Sequence, residues 1–177
     1  MVDDLLDFTK TALGVKLPIS PAPFDLGEIC TEVIAEVGAL HPGRAIEFER
    51  SGDLTGNWDS SRIAQLVANL VSNAVQHGDS KFPVTVTAQA EEKSVSIRVH
   101  NFGSLVSSEA RGTLFDPLKQ SPQTGLDRHK GSSGLGLGLY IAKEIAVAHG
   151  GSIEVSSTES DGTSFSVMLP RNAPASS

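Results

Sequence analysis

A cluster of glycines that runs into an apolar helix constrains this chain more than any other feature of its sequence. Residues 131–151 read GSSGLGLGLYIAKEIAVAHGG, and Gly134, Gly136 and Gly138 alternate with leucines directly before a segment of helical periodicity. Glycines at a helix start let backbone N–H groups approach a phosphate, and the helix dipole favours the anion. Neither a GxxxxGK loop nor a dinucleotide fingerprint after a strand is present. The segment therefore indicates a phosphate site of another type, with a flexible hinge as the alternative.

The segment 60–77 predicts an amphipathic helix, capped by Asp59, with a polar row beside its apolar face. Four polar residues at i, i+4, i+7 and i+8 form that row: Asn69, Asn73, Gln76 and His77. Two asparagines one turn apart lower helix propensity and bring no charge to be solvated. One interpretation is an exposed polar stripe. The other is the wall of a pocket, in which an asparagine carbonyl ligates a hard cation such as Mg²⁺.

Two predicted turns contain further residues that could contact a ligand. Asn101 and Gly103 follow a predicted strand over 94–100. An ordinary turn is one interpretation, and an amide aimed at the edge of an adenine is the other. Thr163 follows Asp161-Gly162 before the last predicted strand, where the sequence by itself indicates only a hairpin turn.

The order of the elements predicts an α/β fold of two layers. The predicted helices cover 2–13, 25–40, 60–77, a short stretch from Ser107, and 137–149, and the clearest strands cover 45–49, 84–90, 94–100, 152–157 and 163–169. Helices and antiparallel strands mix without regular alternation, which favours a sandwich over a doubly wound sheet. Three prolines make 15–24 a linker, and the aperiodic stretch 116–133 indicates a lid or disorder.

Composition excludes several classes of function. The chain has 177 residues and a net charge of −7, and an acidic surface argues against nucleic-acid binding. No apolar run approaches the ~18 residues that a membrane span needs, and the acidic amino-terminal residues are unlike a signal peptide. The single cysteine, Cys30, permits no intrachain disulfide, which fits a reducing cytoplasm, and we interpret it as a buried apolar residue.

Taken in order, these segments resemble the catalytic ATP-binding domain of two-component sensor histidine kinases, in the superfamily that includes gyrase and MutL. NLVSNAVQHG is similar to the asparagine box of that family, VHNFG to its first glycine box, LFDPL to its phenylalanine box, GLGLGLYIAKEIAVAHGG to its second glycine box, and DGTSFSVMLP to its closing glycine-threonine segment. LLDF and LGVKLP resemble the end of the dimerisation helix.

The resemblance implies the Bergerat ATP-binding fold, a two-layer α/β sandwich with a mixed, largely antiparallel sheet packed on about three helices. It implies the following organisation: the end of the dimerisation helix at 1–14, a linker at 15–24, the catalytic domain at 25–170 with its lid at 116–133, and a disordered tail at 171–177.

The resemblance also implies ATP or ADP with Mg²⁺ as cofactors. Asn73 would ligate the Mg²⁺, and Asn69 would complete the catalytic pair, with Gln76 and His77 on the same wall. The adenine would be received by Asn101 and Gly103, with Thr163 behind it, and Phe115 would anchor the lid. The phosphates would meet lid cations and the second glycine box: Lys119, Arg128, Lys130, Gly134, Leu135, Gly136, Leu137, Gly138 and Leu139.

Three features depart from the family pattern. The first glycine box has Asn101 in place of an Asp and Leu105 in place of a Gly, and a neutral bond is about half as strong as a charge-assisted one, so we expect weaker adenine binding. Gln76 stands where a lysine near the phosphates is common. Asn69 stands where the ATP-hydrolysing relatives carry a glutamate that activates water, so direct hydrolysis should be slow.

The implied activity is that of a protein-histidine kinase whose phospho-acceptor lies outside this chain. None of the five histidines has the acceptor pattern: His41, His77, His100, His129 and His149. We therefore expect transfer to a histidine on the dimerisation domain of the parent kinase, within a homodimer, and a downstream response regulator. We expect neither nucleic acid nor membrane contact by this segment. The alternatives are a degenerate nucleotide-binding scaffold and a related ATPase or anti-sigma serine kinase.

Overall fold

The computed structural model describes the backbone of residues 2–117 and 137–174, and side chains from residue 5 onward within those ranges. These parts of the chain form the following elements in order: α1 (Val2–Ala12), β1 (Ala22–Asp25), α2 (Leu26–Leu40), β2 (Ile46–Ser51), β3 (Thr55–Trp58), α3 (Ser60–His77), β4 (Val84–Ala90), β5 (Ser94–Asn101), α4 (Ser108–Thr113), α5 (Gly138–Ala148), β6 (Ser152–Thr158) and β7 (Gly162–Pro170).

Five of the strands form one sheet in the order β2-β4-β5-β7-β6. The β2–β4 pair is parallel, and the other three pairs are antiparallel. The predicted mixed, largely antiparallel sheet is therefore confirmed. In this register Asn101, the last residue of β5, lies directly opposite Thr163 near the start of β7.

The core lies between the inner face of this sheet and helices α2, α3 and α5. Alternate residues of the central strands point into it, as shown by the buried trio Val95, Ile97 and Val99 on β5. On α3 the apolar stripe that contains Leu66 and Leu70 is fully buried, and each such side chain stabilises the fold by about 2 kcal/mol. The two-layer sandwich expected from the sequence is therefore confirmed.

Two aspartates cap the predicted helices that follow them. Asp25 caps α2 and accepts a hydrogen bond from the Gly27 N–H, and Asp59 caps α3 and accepts one from the Arg62 N–H. Each bond satisfies a backbone donor that has no partner inside its helix. Cys30 on α2 is fully buried, as predicted, and burial raises the pKa of its thiol to about 12, which keeps it unreactive.

The segment 15–24 differs from the plain linker expected from its prolines. Its last residues belong to β1, which pairs antiparallel with β3 in a separate two-stranded sheet. The rings of Phe24 and Trp58 meet edge to face at 5.6 Å, and Trp58 is fully buried. Pro23 is tolerated because a two-stranded sheet leaves an edge on which no N–H donor is needed.

The carboxy-terminal segment is also more ordered than the sequence suggested, over the part that the structure describes. The Arg171 guanidinium donates to the carbonyl oxygens of Asp53, Thr55 and Glu91. The backbone of Asn57 is bonded to Arg171 and Ala173. The predicted fraying therefore cannot begin at residue 171, and residues 175–177 lie outside the described range.

Helix α1 lies against α3 and α5. Asp7, which is 3% exposed, forms a bidentate ion pair with Arg62 of α3. The Tyr140 hydroxyl of α5 donates to Thr11 Oγ1 at 2.9 Å, and its ring meets Phe8 edge to face. Within the described ranges, none of the helices combines the length and the apolar content needed to cross a bilayer.

Candidate nucleotide-binding site

The polar row of α3 faces the start of α5 through Asn69. The Asn69 Nδ2 donates to the Gly138 carbonyl oxygen at 3.1 Å, and this bond fixes the orientation of the amide. Its carbonyl oxygen is left for another partner. The contact joins the predicted metal-binding helix to the residue that ends the glycine run, although the two are 69 positions apart.

Asn73 lies one helical turn after Asn69 and is half-buried. Among the described residues its side chain has no hydrogen-bond partner, so its carbonyl oxygen is free to bind a cation. The described ranges hold no group of three or more His, Cys, Asp and Glu side chains suited to a metal. An amide oxygen of this kind is a hard ligand, and Asn73 therefore fits the role of an Mg²⁺ ligand.

The end of β5 carries the predicted base-reading residue. Asn101 is 3% exposed, and Thr163, which lies opposite it, is buried as well. The Thr163 and Ser157 hydroxyl oxygens are 2.7 Å apart, and Ser157 accepts from the Val106 N–H at 3.0 Å. Ser157 was not among the predicted site residues, although the inward alternation of Ile153, Val155 and Ser157 along β6 could have indicated it.

Gly103 holds the loop after β5 against the end of α3. A Cβ at this position would lie 2.4 Å from the His77 carbonyl oxygen, so no larger residue fits without a backbone shift. The Asp79 N–H donates to the Phe102 carbonyl oxygen at 2.6 Å, and Gly78 and Gly103 form a β-bridge. The turn at Gly103 is therefore a close approach of two backbones, which places Asn101 beside the carboxy-terminal end of α3.

Phe115 stands where the predicted lid begins. Its ring meets Phe165 of β7 edge to face with centroids 6.3 Å apart, and Phe165 is itself buried in the core. The aromatic contact gives the start of the lid a fixed base. The lid cations Lys119, Arg128 and Lys130 lie outside the described residues.

Among the described residues, no side chain caps the first backbone donors of helix α5. Its N-cap residue, Leu137, makes no side-chain capping bond, and the first intrahelical donor is the Ile141 N–H. The backbone N–H groups of Gly138, Leu139 and Tyr140 precede it and are therefore the groups that a phosphate could accept from. The Leu137 side chain is buried and Leu139 packs on the core, so only their backbones can serve a ligand. Gly134, Leu135 and Gly136 lie outside the described ranges.

The last two residues of the predicted polar row lie at the exposed end of α3. In the part of the chain that the structure describes, no side-chain hydrogen bond connects Gln76 or His77 to the other predicted residues. Desolvation of the His77 imidazole lowers its pKa below the ordinary value, so the ring is neutral at neutral pH. It can therefore accept a hydrogen bond but adds no positive charge.

Arg44 is a feature of the site that the sequence did not indicate. Its Nε and Nη2 atoms are buried and have no hydrogen-bond partner among the described residues. A Cβ built on Gly78 would lie 2.8 Å from Arg44 Nη2 and 3.2 Å from the Asn101 Cβ. The guanidinium therefore lies at the end of α3, where the helix dipole favours a cation, and near Asn101, the residue predicted to receive the base.

The family of the chain follows from comparison with known proteins. Residues 58–173 match the family described as histidine kinase-, DNA gyrase B-, and HSP90-like ATPase. The chain belongs to this family. The matched range includes every site residue named above except Arg44, from Asn69 on α3 to Thr163 on β7.

Relatives of the chain include sensor histidine kinases. The chain is 33% identical over 170 residues to a bacteriophytochrome of Pseudomonas aeruginosa, covering 96% of this chain and 23% of the relative. It is 30% identical over 174 residues to the sensor histidine kinase RcsC of Escherichia coli, covering 96% of this chain and 18% of the relative. The chain thus spans about a fifth of the length of these relatives.

Solved structures of the family superpose on this fold. The catalytic domain of the histidine kinase ThkA in a nucleotide-free form is 26% identical, with a TM-score of 0.71 over 88% of this chain and 99% of that one. Full-length ShkA in complex with AMPPNP is 27% identical, with a TM-score of 0.79 over 99% of this chain and 36% of that one. The chain is therefore a catalytic ATP-binding domain of the sensor histidine kinase type.

Proposed function

We propose that this domain binds Mg-ATP and passes the γ-phosphoryl group to a histidine on the dimerisation domain of its parent kinase, within a homodimer. The observation that carries the proposal is the bond between Asn69 Nδ2 and the Gly138 carbonyl. It brings the helix with the free Asn73 amide next to a helix start with uncapped N–H groups. A cation ligand and phosphate donors therefore lie on two elements that are in direct contact.

Each residue has one task in this proposal. The Asn73 carbonyl holds the Mg²⁺ ion, which when bound neutralises charge on the phosphates. The first N–H groups of α5 donate to phosphate oxygens. At the far end Asn101 receives the base, and Thr163 and Ser157 support it from behind. Phe115 fixes the start of the lid.

The residues present favour transfer to a protein over hydrolysis. An amide has no basic site, so Asn69 cannot take a proton from water, and its nitrogen is already engaged with Gly138. Phosphoryl transfer depends mainly on positioning and charge neutralisation, which this site offers without a base. The γ-phosphoryl group is thereby preserved for the acceptor histidine, and from there for a response regulator. The setting that we infer for this exchange is the cytoplasm, where ATP is available.

Titration calorimetry tests the binding step. We expect Mg-ATP to bind the chain with a dissociation constant below millimolar, and binding to weaken when Mg²⁺ is replaced by EDTA. The absence of binding at millimolar ATP would contradict the proposal. The transfer step is tested by adding a purified dimerisation domain that carries its histidine and following labelled phosphate from ATP.

A degenerate regulatory scaffold is the second candidate. It is favoured by the neutral Asn101 and Gln76 and by Leu105, which is exposed rather than folded into the site. Such a domain would bind ATP without transferring its γ-phosphoryl group. Phosphate transfer to the added dimerisation domain at the rate of an active kinase excludes this candidate, and tight binding without transfer supports it. An ATPase or anti-sigma serine kinase is the third, and Asn69 argues against its hydrolytic form.

A further inference from the structure

Helix α1 contacts both of the helices that carry the candidate site. On α3 the Asp7 carboxylate pairs with Arg62, which lies two helical turns before Asn69 on the same face. On α5 two residues of α1 contact Tyr140, which lies two positions after Gly138. Asn69 and Gly138 are themselves joined by a hydrogen bond. Helix α1 therefore lies across α3 and α5 close to the point at which the two helices meet.

The contact between α1 and Tyr140 has two parts. The Tyr140 hydroxyl donates to Thr11 Oγ1 at 2.9 Å, and the Thr11 hydroxyl donates in turn to the Asp7 carbonyl oxygen at 3.0 Å. The Tyr140 ring meets the Phe8 ring edge to face, with the centroids 5.9 Å apart. The hydrogen bond and the aromatic contact together restrict the orientation of the tyrosine side chain. The side chain of Tyr140 is therefore held by α1.

Tyr140 also belongs to the turn that supplies the candidate phosphate donors. Its backbone N–H precedes that of Ile141, the first donor that is bonded inside α5. This turn begins at Gly138, a residue type of high conformational freedom, and Leu137 provides no side-chain capping bond. Contacts with neighbouring elements must therefore hold these N–H groups in the direction of a ligand. The attachment of Tyr140 to α1 is one such contact.

We propose that Tyr140 is a positioning residue for the phosphate-binding end of α5, and that α1 holds it in place. The inference rests on the proposed function, in which the first N–H groups of α5 donate to the phosphates. The match to the family model begins at residue 58, so α1 lies outside the matched range. A turn that α1 has already ordered loses less conformational entropy when a nucleotide binds. Nucleotide binding and the attachment of α1 therefore strengthen each other by the same factor.

A double variant of α1 tests the effect on affinity. Phe8→Ala/Thr11→Val removes both contacts and leaves Tyr140 and every predicted site residue unchanged. Calorimetry with Mg²⁺ should show that ATP binds to this variant about fivefold or more weakly than to the unmodified chain. Leu5→Ala/Thr9→Val is the matched control, because both side chains are exposed and the Thr9 hydroxyl donates to a carbonyl oxygen of the same helix. Its affinity should stay within about twofold of the unmodified value.

Hydrogen exchange tests the reciprocal effect in the unmodified chain. A helix as short as α1 is marginally stable in water without packing, so its amide hydrogens exchange when it detaches from the domain. A saturating concentration of Mg-ATP should slow this exchange by at least the factor by which Phe8→Ala/Thr11→Val loses affinity. A contact that served the stability of the fold alone would not respond to the nucleotide.

The possible outcomes separate this inference from the proposed function. Thermal melting checks that both double variants are folded at the assay temperature. Unchanged or tighter ATP binding in Phe8→Ala/Thr11→Val, or an equal loss in the control variant, would overturn the inference alone. Exchange from α1 that does not respond to Mg-ATP would overturn it as well, and this measurement needs no variant. If ATP does not bind to the unmodified chain, the proposed function and the inference both fail.

Discussion

Two asparagines of α3 differ in their side-chain hydrogen bonds. Because of this difference, their contributions to stability and to ligand binding can be measured separately. Asn69 is bonded to Gly138, whereas Asn73 has no side-chain partner in the described ranges. Removing the Asn73 amide should therefore cost the fold nothing. The same removal takes away the oxygen that we assign to the metal.

Asn73→Ala tests this separation. We expect Mg-ATP affinity to fall at least about tenfold, while the free energy of unfolding rises by about 0.5 kcal/mol because alanine has the higher helix propensity. Calorimetry and urea denaturation measure the two effects. Asn69→Ala is the comparison, since it breaks the bond to Gly138 and should lower stability. An unchanged affinity in Asn73→Ala would show that the metal is held elsewhere.

The buried His149 gives the fold a pH dependence. Its Nε2 accepts from the Asp59 N–H at 3.1 Å and its Nδ1 lies 2.7 Å from the Ile145 carbonyl oxygen, so the ring is neutral with its proton on Nδ1. Desolvation lowers the pKa of His149 below its ordinary value, although the bond to Ile145 opposes this. The unfolded chain therefore binds a proton that the native protein does not, and stability falls as the pH drops through about 6.5.

Urea denaturation between pH 7.5 and about 5 checks this dependence. Stability should fall with a slope of up to about 1.4 kcal/mol per pH unit, and His149→Gln should be less stable at pH 7.5 but flatter across the same range. Asp59 lies in contact with His149, yet hydrogen bonds lower its pKa despite partial burial, so it titrates at more acidic pH. His41→Gln, on the exposed end of α2, is the control. An equal slope in His149→Gln would contradict the assignment.

At the scale of elements, an ion pair, a hydroxyl bond and an aromatic contact attach α1 to the domain. Asp7→Asn removes the charge that compensates Arg62, whose side chain is 19% exposed. We expect a loss of about 2 kcal/mol, because the desolvated Arg62 guanidinium is then left with neutral partners.

Thermal denaturation of Asp7→Asn measures this loss, and Lys10→Gln on an exposed position of the same helix is the matched control. Adding Arg62→Gln to Asp7→Asn should recover part of the stability, since neither charge then remains. If the double variant loses the sum of the two single losses, the two residues are not coupled in solution.

The loop after β5 is the second element whose position can be tested. Gly103→Ala places a methyl group 2.4 Å from the His77 carbonyl oxygen, so the loop must move away from α3. We expect both stability and nucleotide affinity to fall, the latter because Asn101 moves with the loop. Gly112→Ala on α4 is the matched control: nothing lies within 4 Å of its added Cβ, and the helix should gain about 0.8 kcal/mol. Unaltered ATP affinity in Gly103→Ala would contradict the placement of the base.

Elements set by local chemistry were predictable from the sequence, and those set by distant partners were not. The Asp59 cap and the strands β4, β5 and β7 depend on residues close together in the sequence, and all were predicted. Strand β1 was missed because it exists only by pairing with β3, more than thirty residues away, and because its prolines suggest a linker.

The same division holds for the whole molecule. The layer arrangement follows from the order of helices and strands, and the asparagine and glycine residues of the site follow from ordered motifs. Arg44 belongs to no local pattern of unusual residues, and only the folded chain brings it beside Asn101. The bond between Asp59 and His149, which are 90 positions apart, is equally invisible in the sequence.

Two segments that flank the domain, residues 20–22 and residues 170–173, are both attached to residues 57–59. This arrangement has a mechanical consequence. The Ser20 N–H bonds to Asp59 and Ala22 pairs with Trp58, while the carbonyl of Pro170 accepts from Trp58 Nε1 and Ala173 bonds to Asn57. Tension that enters along one segment can leave along the other through these three residues. The carboxy-terminal end of α3, which lies beside Asn101 and is about 27 Å away along the helix, carries none of this tension. A force applied to the two flanking segments would therefore distort residues 57–59 before it distorted the candidate site.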